Sequence, residues 1–545
     1  MGVSMRPVLS CDEVRRLEDV IEKEGTSKAE LMEFAGEFVA SEALKGNPSR
    51  VVILVGFGNN GGDGWVAADI LAQKDVHVDV VSPVEPDEIS APLARHVARR
   101  TAGRDVNIVV GPSKDELGEL IGEADLVIDA ILGTGFHGEL RPPFSIWVPV
   151  VNELEPTVLS VDVPSGLDAQ TGVVEHDCIR ATRTATMLAP KLGLYSADGP
   201  EYAGEIVCGR LYDQLDEVID DVEHEAEIVD SADLIDFFEP LPMNINKYSR
   251  GSVLVVAGSA TYPGAAMMAA KAAARAGAGY VAVACPSACA NLVRMALPSV
   301  PVIDIPSDSR GAFGAAARKA VCKAAEKFSC VLCGPGITTS AGCIDVVSGL
   351  LKMDVPLVLD ADALNCLAKY SIGGIDKTPE LYRRDAPLIL TPHHKELSRL
   401  IGDDPVADLG TAIEASRRLL WAAGSEDMIV VAKGPSTAVA GVEKVLLPMA
   451  GPASLATAGS GDVLAGIIAG SVAQAHNYAG PWELLCAYAV TVHSFTGFAA
   501  ASRFGEKSVI ATDLIDLIGD AMELAAESAL HDLGVLDEDS QVEEA

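Results

Sequence analysis

Leu455-Ala456-Thr457-Ala458-Gly459-Ser460-Gly461-Asp462-Val463-Leu464-Ala465-Gly466-Ile467-Ile468-Ala469-Gly470 carries small residues into a turn, then an aspartate, then an apolar run with spaced glycines. The pattern predicts a loop that feeds a helix start. Backbone N–H groups at such a start can stabilise a phosphoryl group in transfer. Asp462 beside them can take the proton from an attacking hydroxyl. Alone, the stretch also fits a glycine-rich helix cap with an acid in its first turn. No G-x-x-x-x-G-K-[ST] occurs, which excludes a P-loop ATPase on motif grounds.

The surroundings narrow the choice. Strand candidates are Ser252–Ala257, Tyr280–Ala284, Cys330–Cys333, Pro356–Asp360, Leu388–Leu390 and Met428–Ala432. Polar or glycine-rich loops follow them: Gly258 to Ala265, Gly334-Pro335-Gly336, Asp360-Ala361-Asp362 with Asn365, Thr391-Pro392-His393, and Lys433-Gly434. Strands alternating with helices predict an α/β domain with a parallel sheet.

The first half repeats the alternation. Its strand candidates are Val51–Val55, His77–Val81, Asn107–Val110, Leu126–Asp129, Thr157–Val161 and Thr184–Leu188, with a helix over Gly64–Gln73. Gly56, Gly58 and Gly61 satisfy G-x-G-x-x-G, but the second strand ends Val80-Val81-Ser82-Pro83 with Asp79 before its tip. The acid that holds a dinucleotide ribose is missing there, so a standard dehydrogenase is disfavoured. Asp129 and Asp162 end two further strands and run into Gly133 to Glu139 and Val163-Pro164-Ser165. Ligands of open α/β sheets bind at such ends. A single Asp there can merely cap a turn; three polar loops after three strands count against that.

Between the halves, Leu215–Glu227 is strongly acidic and reads as a connector. We expect domains over 1–222 and 223–530 and an acidic tail over 531–545, with Asp537–Ala545 frayed. Residues of hydrophobic type make up 49%, and mean hydropathy is +0.26, so two sizeable cores are affordable. The net charge of −37, from 78 acidic and 41 basic side chains, argues against nucleic-acid partners. It fits a solvated acidic surface suited to a saline cytoplasm. Eleven scattered cysteines predict reduced core thiols. The pair Cys330 and Cys333 lies on a strand, where residues three apart face opposite ways. There is no signal-peptide pattern and no uninterrupted apolar run of membrane-spanning length, so the reading is cytoplasmic, with no membrane partner.

The first-half motifs Asn59-Asn60-Gly61-Gly62-Asp63, Asp129 to Glu139, Asp162 to Ser165 and Pro190-Lys191-Leu192-Gly193-Leu194 resemble the NAD(P)H-hydrate epimerase family over about residues 6–220. The resemblance implies a substrate cradle of Asn59, Asn60, Gly61, Gly62, Asp63, Gly133, Thr134, Gly135, Phe136, His137, Gly138, Glu139 and Asp162. It also implies potassium held by Asn60, Asp129 and Ser165, oxygen donors that suit a hard cation. Interconverting R and S hydrates needs an acid/base, for which Asp162 is our choice. Lys191 is either its electrostatic support or a solvent-facing lysine.

The second-half set resembles the ADP-dependent NAD(P)H-hydrate dehydratases of the ribokinase-like superfamily over about residues 240–525. Carried across, Ala265, Gly336, His393 and Asp462 would contact the hydrated nucleotide, with Asp462 catalytic. Lys433, Gly434, Pro435, Ser436, Thr437 and Gly461 would hold ADP or AMP, with Mg2+ on the phosphates. His393 by itself could be a loop histidine. Where that family commonly reads Thr-Pro-His-x-Gly-Glu, this chain has Thr391-Pro392-His393-His394-Lys395-Glu396, so Lys395 could constrain the backbone or bring charge near a phosphate. The implied architecture is α/β with two domains: a Rossmann-like three-layer sandwich, then a ribokinase-like three-layer α/β/α domain. The implied partners are NADHX, NADPHX and ADP, in a homo-oligomer. Two other readings stand beside this bifunctional repair enzyme. One is a sugar or vitamin kinase fused to a nucleotide-binding regulator; in the other, the first half is a non-catalytic scaffold.

Overall fold

A computed structural model describes residues 5–535 except 220–221, 240, 242, 372–381, 476–477 and 479. The expected frayed stretch Asp537–Ala545 lies outside the described residues. The chain divides into two compact units, one of residues 7–225 and one beginning at Ala226 that Arg6 joins by its ion pair with Asp230.

In the first unit, seven parallel strands lie in the order Asn107–Val110, His77–Ser82, Arg50–Val55, Leu126–Ala130, Val158–Val161, Arg183–Met187, Glu205–Gly209. Alternation builds the layers. Val51, Ile53 and Val55 pack with Trp65, Val66 and Leu71, while Val52 and Leu54 pack with Ile121, Phe144 and Trp147 on the other face. The chain fans outward from Arg50–Val55 to one edge, then returns on its other side at Leu126–Ala130. That reversal is the topological switch point where open α/β sheets bind ligands.

From Ala226 onward ten strands run side by side in the order Ala226–Val229, Val445–Pro448, Ala438–Ala440, Met428–Ala432, Leu388–Leu390, Leu357–Leu359, Cys330–Cys333, Ser252–Val256, Tyr280–Pro286, Val302–Ile305. All pair in parallel except the ribbon joining Met428–Ala432, Ala438–Ala440 and Val445–Pro448. The switch point falls between Ser252–Val256 and Cys330–Cys333. The spaced glycines of the opening stretch serve packing. A Cβ on Gly466 would stand 2.5 Å from the Ala269 carbonyl, and one on Gly470 2.7 Å from that of Ala273. The helix Ser460–Gln474 thus lies close against the alanine-rich helix Pro263–Arg275.

Every expected strand forms, its bounds moving by a residue or two. The helix expected over Gly64–Gln73 starts earlier, at Asn59, with Gly58 as its extended N-cap. Six strands escaped the sequence reading: Arg6–Val8, Glu205–Gly209, Ala226–Val229, Val302–Ile305, Ala438–Ala440 and Val445–Pro448. Glu205–Gly209 and Val302–Ile305 are sheet edges with exposed Glu205 and Asp304, so they lack a long apolar run. The acidic stretch is no bare connector: Leu215, Val218, Ile219 and Val222 are buried with Leu9, Val14 and Leu17. Cys330 and Cys333 are buried on their strand, and all eleven cysteines are free thiols. The 23-residue helix Trp482–Phe504 is apolar and long enough to cross a membrane, but 72% of its most apolar window is buried within the fold. Thr491, His493 and Ser494 interrupt it in sequence.

Candidate active sites

In the first unit, the loops after Arg50–Val55 and Leu126–Ala130 open onto a cavity of about 1390 Å3. Asn59, Asn60, Asp63, Gly133, Thr134, Gly135, Phe136, His137, Gly138, Glu139, Asp162 and Lys191 line it. Gly61 and Gly62 lie behind this lining. A Cβ on Gly61 would stand 2.4 Å from the Gly56 carbonyl, and one on Gly62 2.6 Å from Met32, so both glycines let the helix start sit close to its neighbours. His137 Nδ1 lies 2.7 Å from Asp168 and Glu139 2.9 Å from His176 Nε2, tying that loop to the segment that follows Ser165.

Asp162 takes a left-handed backbone, φ 68°, which aspartate tolerates better than most residues. Lys191 is fully buried, not solvent-facing. Its ammonium is ion-paired to Asp162 and donates to Thr186 Oγ1 at 3.1 Å and the Met187 carbonyl at 2.9 Å. Burial first, then the charges of Asp162 and Glu18, hold the Asp63 carboxyl well above the usual carboxylate range. The cavity therefore presents a carboxyl whose neutral form burial favours together with a lysine–carboxylate pair, a set able to give and take protons.

Below the cavity, Asp129 is completely buried. It accepts from Ser165 N at 2.8 Å, Ser165 Oγ at 2.5 Å, Ser160 Oγ at 2.9 Å and Ile131 N at 3.3 Å. Burial still raises it above its ordinary value. Among the described residues no cationic side chain pairs with it. The Asn60 amide nitrogen is buried without a partner, and Gly133 packs on the Asn60 side chain, a Cβ there standing 3.2 Å from its oxygen. The Asp129 carboxylate, with no cationic partner among the described residues, together with Ser165 Oγ and the Asn60 side-chain oxygen, offers the oxygen donors that suit a hard monovalent cation. By contrast Asp79 is satisfied structurally, accepting from Arg50 Nε at 2.9 Å and Asn107 Nδ2 at 2.6 Å.

In the second unit the strand ends converge on the start of Ser460–Gln474. Asp360 Oδ1 accepts from Thr391 Oγ1 at 2.7 Å and from Lys433 Nζ at 2.6 Å. Lys433 in turn approaches the opening loop: a Cβ on Gly461 would stand 3.4 Å from its Nζ. Burial, with Asp360 adding to it and Lys433 opposing, pushes Asp462 up to about 7. Gly459, at φ 95°, makes the turn that only glycine takes easily here. Gly336 and Ala265 are neighbours, a Cβ on the glycine standing 3.0 Å from the alanine's.

His393 is the N-cap of the helix His394–Leu400. Its Nδ1 accepts from Lys395 N at 3.1 Å and Glu396 N at 3.3 Å, which leaves its proton on Nε2, while Glu396 accepts from His393 N at 3.0 Å. Lys395 sits in ordinary helical backbone with its side chain exposed, so it imposes no constraint there. Within the expected nucleotide segment, Ser436 Oγ is buried and unpartnered, and Gly434 lies beside His394, a Cβ standing 3.0 Å from its Nε2.

Some functional candidates were beyond the sequence. Glu18 and Arg15 reach the first cavity from a helix, Cys11–Glu24, that carries no motif. His493, 3.1 Å from Ser460 Oγ, buttresses the second loop from within an apolar helix; burial takes it down to about 4, so it is neutral.

Comparison with known proteins bears on both units. Residues 253–520 match the family model described as NAD(P)H-hydrate dehydratase, and residues 28–193 match that of the YjeF-related protein N-terminus. The bifunctional NAD(P)H-hydrate repair enzyme Nnr of Salinibacter ruber is 36% identical over 522 residues, covering 91% of this chain and 92% of its own. Its counterpart from Hyperthermus butylicus is 33% identical, with 93% and 90% covered. A crystal structure of ADP/ATP-dependent NAD(P)H-hydrate dehydratase from Bacillus subtilis with ATP/Mg2+ aligns with 54% of this chain and 97% of its own, at 24% identity and a TM-score of 0.45. Identity of this extent along nine-tenths of both chains settles the kinship, and the protein belongs to the family of bifunctional NAD(P)H-hydrate repair enzymes.

Proposed function

We propose that the first unit interconverts the R and S hydrates of NADH and NADPH, and that the second dehydrates the S form with ADP as phosphoryl donor. One observation supports this above the others. Each unit sets a largely buried lysine–carboxylate pair, Lys191 with Asp162 and Lys433 with Asp360, at the carboxyl edge of its sheet, its aspartate following the strand next to the switch pair. A non-catalytic scaffold would have no use for the first pair.

In the epimerase cavity, Asp162 serves as acid/base at the C6 hydroxyl, Lys191 holds it in place, and Asp63, whose neutral form burial favours, donates the proton with which the oxygen departs as water. Re-addition from the opposite ring face gives the other epimer. Asn60, Asp129 and Ser165 would hold potassium, which when bound supplies the counter-charge Asp129 lacks.

In the second unit, Asp462 takes the proton of the C6 hydroxyl as its oxygen forms a bond to the β-phosphorus of ADP. The bond from that phosphorus to the bridging oxygen breaks, and AMP leaves. Phosphate is then a good leaving group at C6. The ring-nitrogen lone pair expels it, and C5 loses a proton to restore the dihydropyridine. Lys433 to Thr437 and Gly461 hold the nucleotide, with Ser436 Oγ free to bond it. Mg2+ would arrive on the phosphates; among the described residues no group of three His, Cys, Asp or Glu side chains forms a cage of its own. A cytoplasmic homo-oligomer is the setting we assign.

The test is recovery of reduced-nicotinamide absorbance from an R/S mixture of NADHX, with ADP and without. Full recovery is expected with ADP. Asp462→Asn abolishes it, while Asp162→Asn leaves a fast phase limited to the S fraction. No recovery with ADP or ATP overturns the reading, and recovery of the S fraction alone by the unaltered chain overturns its epimerase half.

A further inference from the structure

Asp360 ends the strand Leu357–Leu359 and is 1% exposed. Its Oδ1 receives two donors from the next two strand ends, Thr391 Oγ1 and Lys433 Nζ. The following residue, Ala361, is held at φ 48°, an uncommon backbone for alanine. A lysine ammonium on its four-carbon stem has many rotamers to choose from. Here one buried carboxylate, itself fixed by Thr391, selects the rotamer that brings Nζ against Gly461.

We infer that Asp360 is a positioning residue: by gripping Lys433 it sets a cation at the start of Ser460–Gln474, next to Asp462, where the phosphoryl group would pass. The inference rests on the dehydratase reading above. The ammonium would neutralise phosphoryl oxygens in transfer. Asp360 would also govern the base, since the two members of the pair act on Asp462 with opposite signs, Asp360 raising it and Lys433 lowering it. The other charged groups facing this cluster are Asp362 on Asp462, and Glu396 and His393 on Lys433; His493 flanks Ser460. A mere structural tie between strand ends would leave the base untouched.

The experiment measures kcat and KM for ADP from about pH 5 to about pH 9 on (S)-NADHX, in the full chain and in Asp360→Asn and Lys433→Gln. Asp360→Asn should lower kcat at least about tenfold while KM for ADP stays within about threefold. Its acid limb should move down by about one pH unit, and that of Lys433→Gln should move up. Carboxyl 13C NMR of Asp462, assigned by its loss in Asp462→Asn, should report the same opposed shifts in the absence of substrate. An acid limb or a carboxyl titration that stays at the unaltered position in either variant overturns the inference. If Asp360→Asn does not fold, Lys433→Gln decides by both readouts. An unaltered chain that does not dehydrate NADHX at any pH overturns the functional reading instead, and the NMR titrations still judge the pair.

Discussion

Lys191→Met removes a fully buried ammonium at the wall of the first cavity. The lysine side chain is 1% exposed and that of Asp162 15%, so water can screen the orphaned carboxylate only in part. Removing one partner of a buried pair costs about 3–5 kcal/mol; the partial exposure of Asp162 puts the figure near the lower end, about 3 kcal/mol. Thr186 Oγ1 and the Met187 carbonyl lose a donor at the same stroke. For a unit the size of residues 7–225, each kcal/mol moves Tm by about 2–4 °C. Scanning calorimetry should therefore show the transition of the first unit fall by about 6–12 °C. Dehydration of pure (S)-NADHX should continue, because the second unit carries its own groups, and recovery from an R/S mixture should stall after the S fraction. The double variant Asp162→Asn with Lys191→Met leaves no unpaired charge, so it should melt above Lys191→Met yet remain without epimerase activity. A first transition unchanged within about 2 °C, or an intact epimerisation rate in Lys191→Met, would refute this reasoning.

Asp462 is useful as a base only when ionised, and its carboxyl sits near 7 rather than in the ordinary range. Dehydratase kcat should thus rise as pH increases through about 7 and fall off below, whereas a limb near pH 4 would show that another group takes the proton. Ser165→Ala deletes the hydroxyl that donates to Asp129 at 2.5 Å and bonds the Leu132 backbone. It should destabilise the first unit by about 1–3 kcal/mol, read by denaturant melts, and raise the potassium concentration needed for half-maximal epimerisation; unchanged potassium dependence counts against the assigned ligands. Lys395→Gly restores the family's common residue in a helical turn that does not need it. Its KM values for NADHX and ADP should stay within about threefold of the unaltered chain, and a larger change would show that the lysine reaches a phosphate.

Both sheets were legible in the sequence because parallel strands covered on two faces read as continuous apolar runs, as in Val51–Val55 and Met428–Ala432. The edge strands Glu205–Gly209 and Val302–Ile305 were not, since one side of each meets solvent and breaks the run. Site residues at strand ends, such as Asp129, Asp162 and Asp360, announced themselves by position. What no local pattern carried was their pairing. Lys191 lies 29 residues from Asp162, and Lys433 lies 73 from Asp360; only the order of strands brings them together. Cys11–Glu24, which brings Glu18 and Arg15 to the first cavity, reads as an unremarked amphipathic helix. Buried polar groups inside apolar helices, like His493, are equally silent.

The two units thus solve a common problem on different sheets. Each must hold a lysine in a fixed position at the sheet edge, and each does so with an aspartate from the strand beside the switch pair. Their surroundings then set the chemistry. Around Lys191 and Asp162, a cavity of about 1390 Å3 also holds Asp63, a second carboxyl raised by burial, which suits proton exchange on a bound ring. Around Lys433 and Asp360 stands the start of Ser460–Gln474, with its free N–H groups and Asp462, which suits an anion in transfer. If the pairs were interchangeable salt bridges, neutralising both partners would be harmless in either unit. Because each cation faces reactive groups, restoring stability by removing both charges should restore no activity. That separation of stability from turnover is what distinguishes a working pair from a structural one.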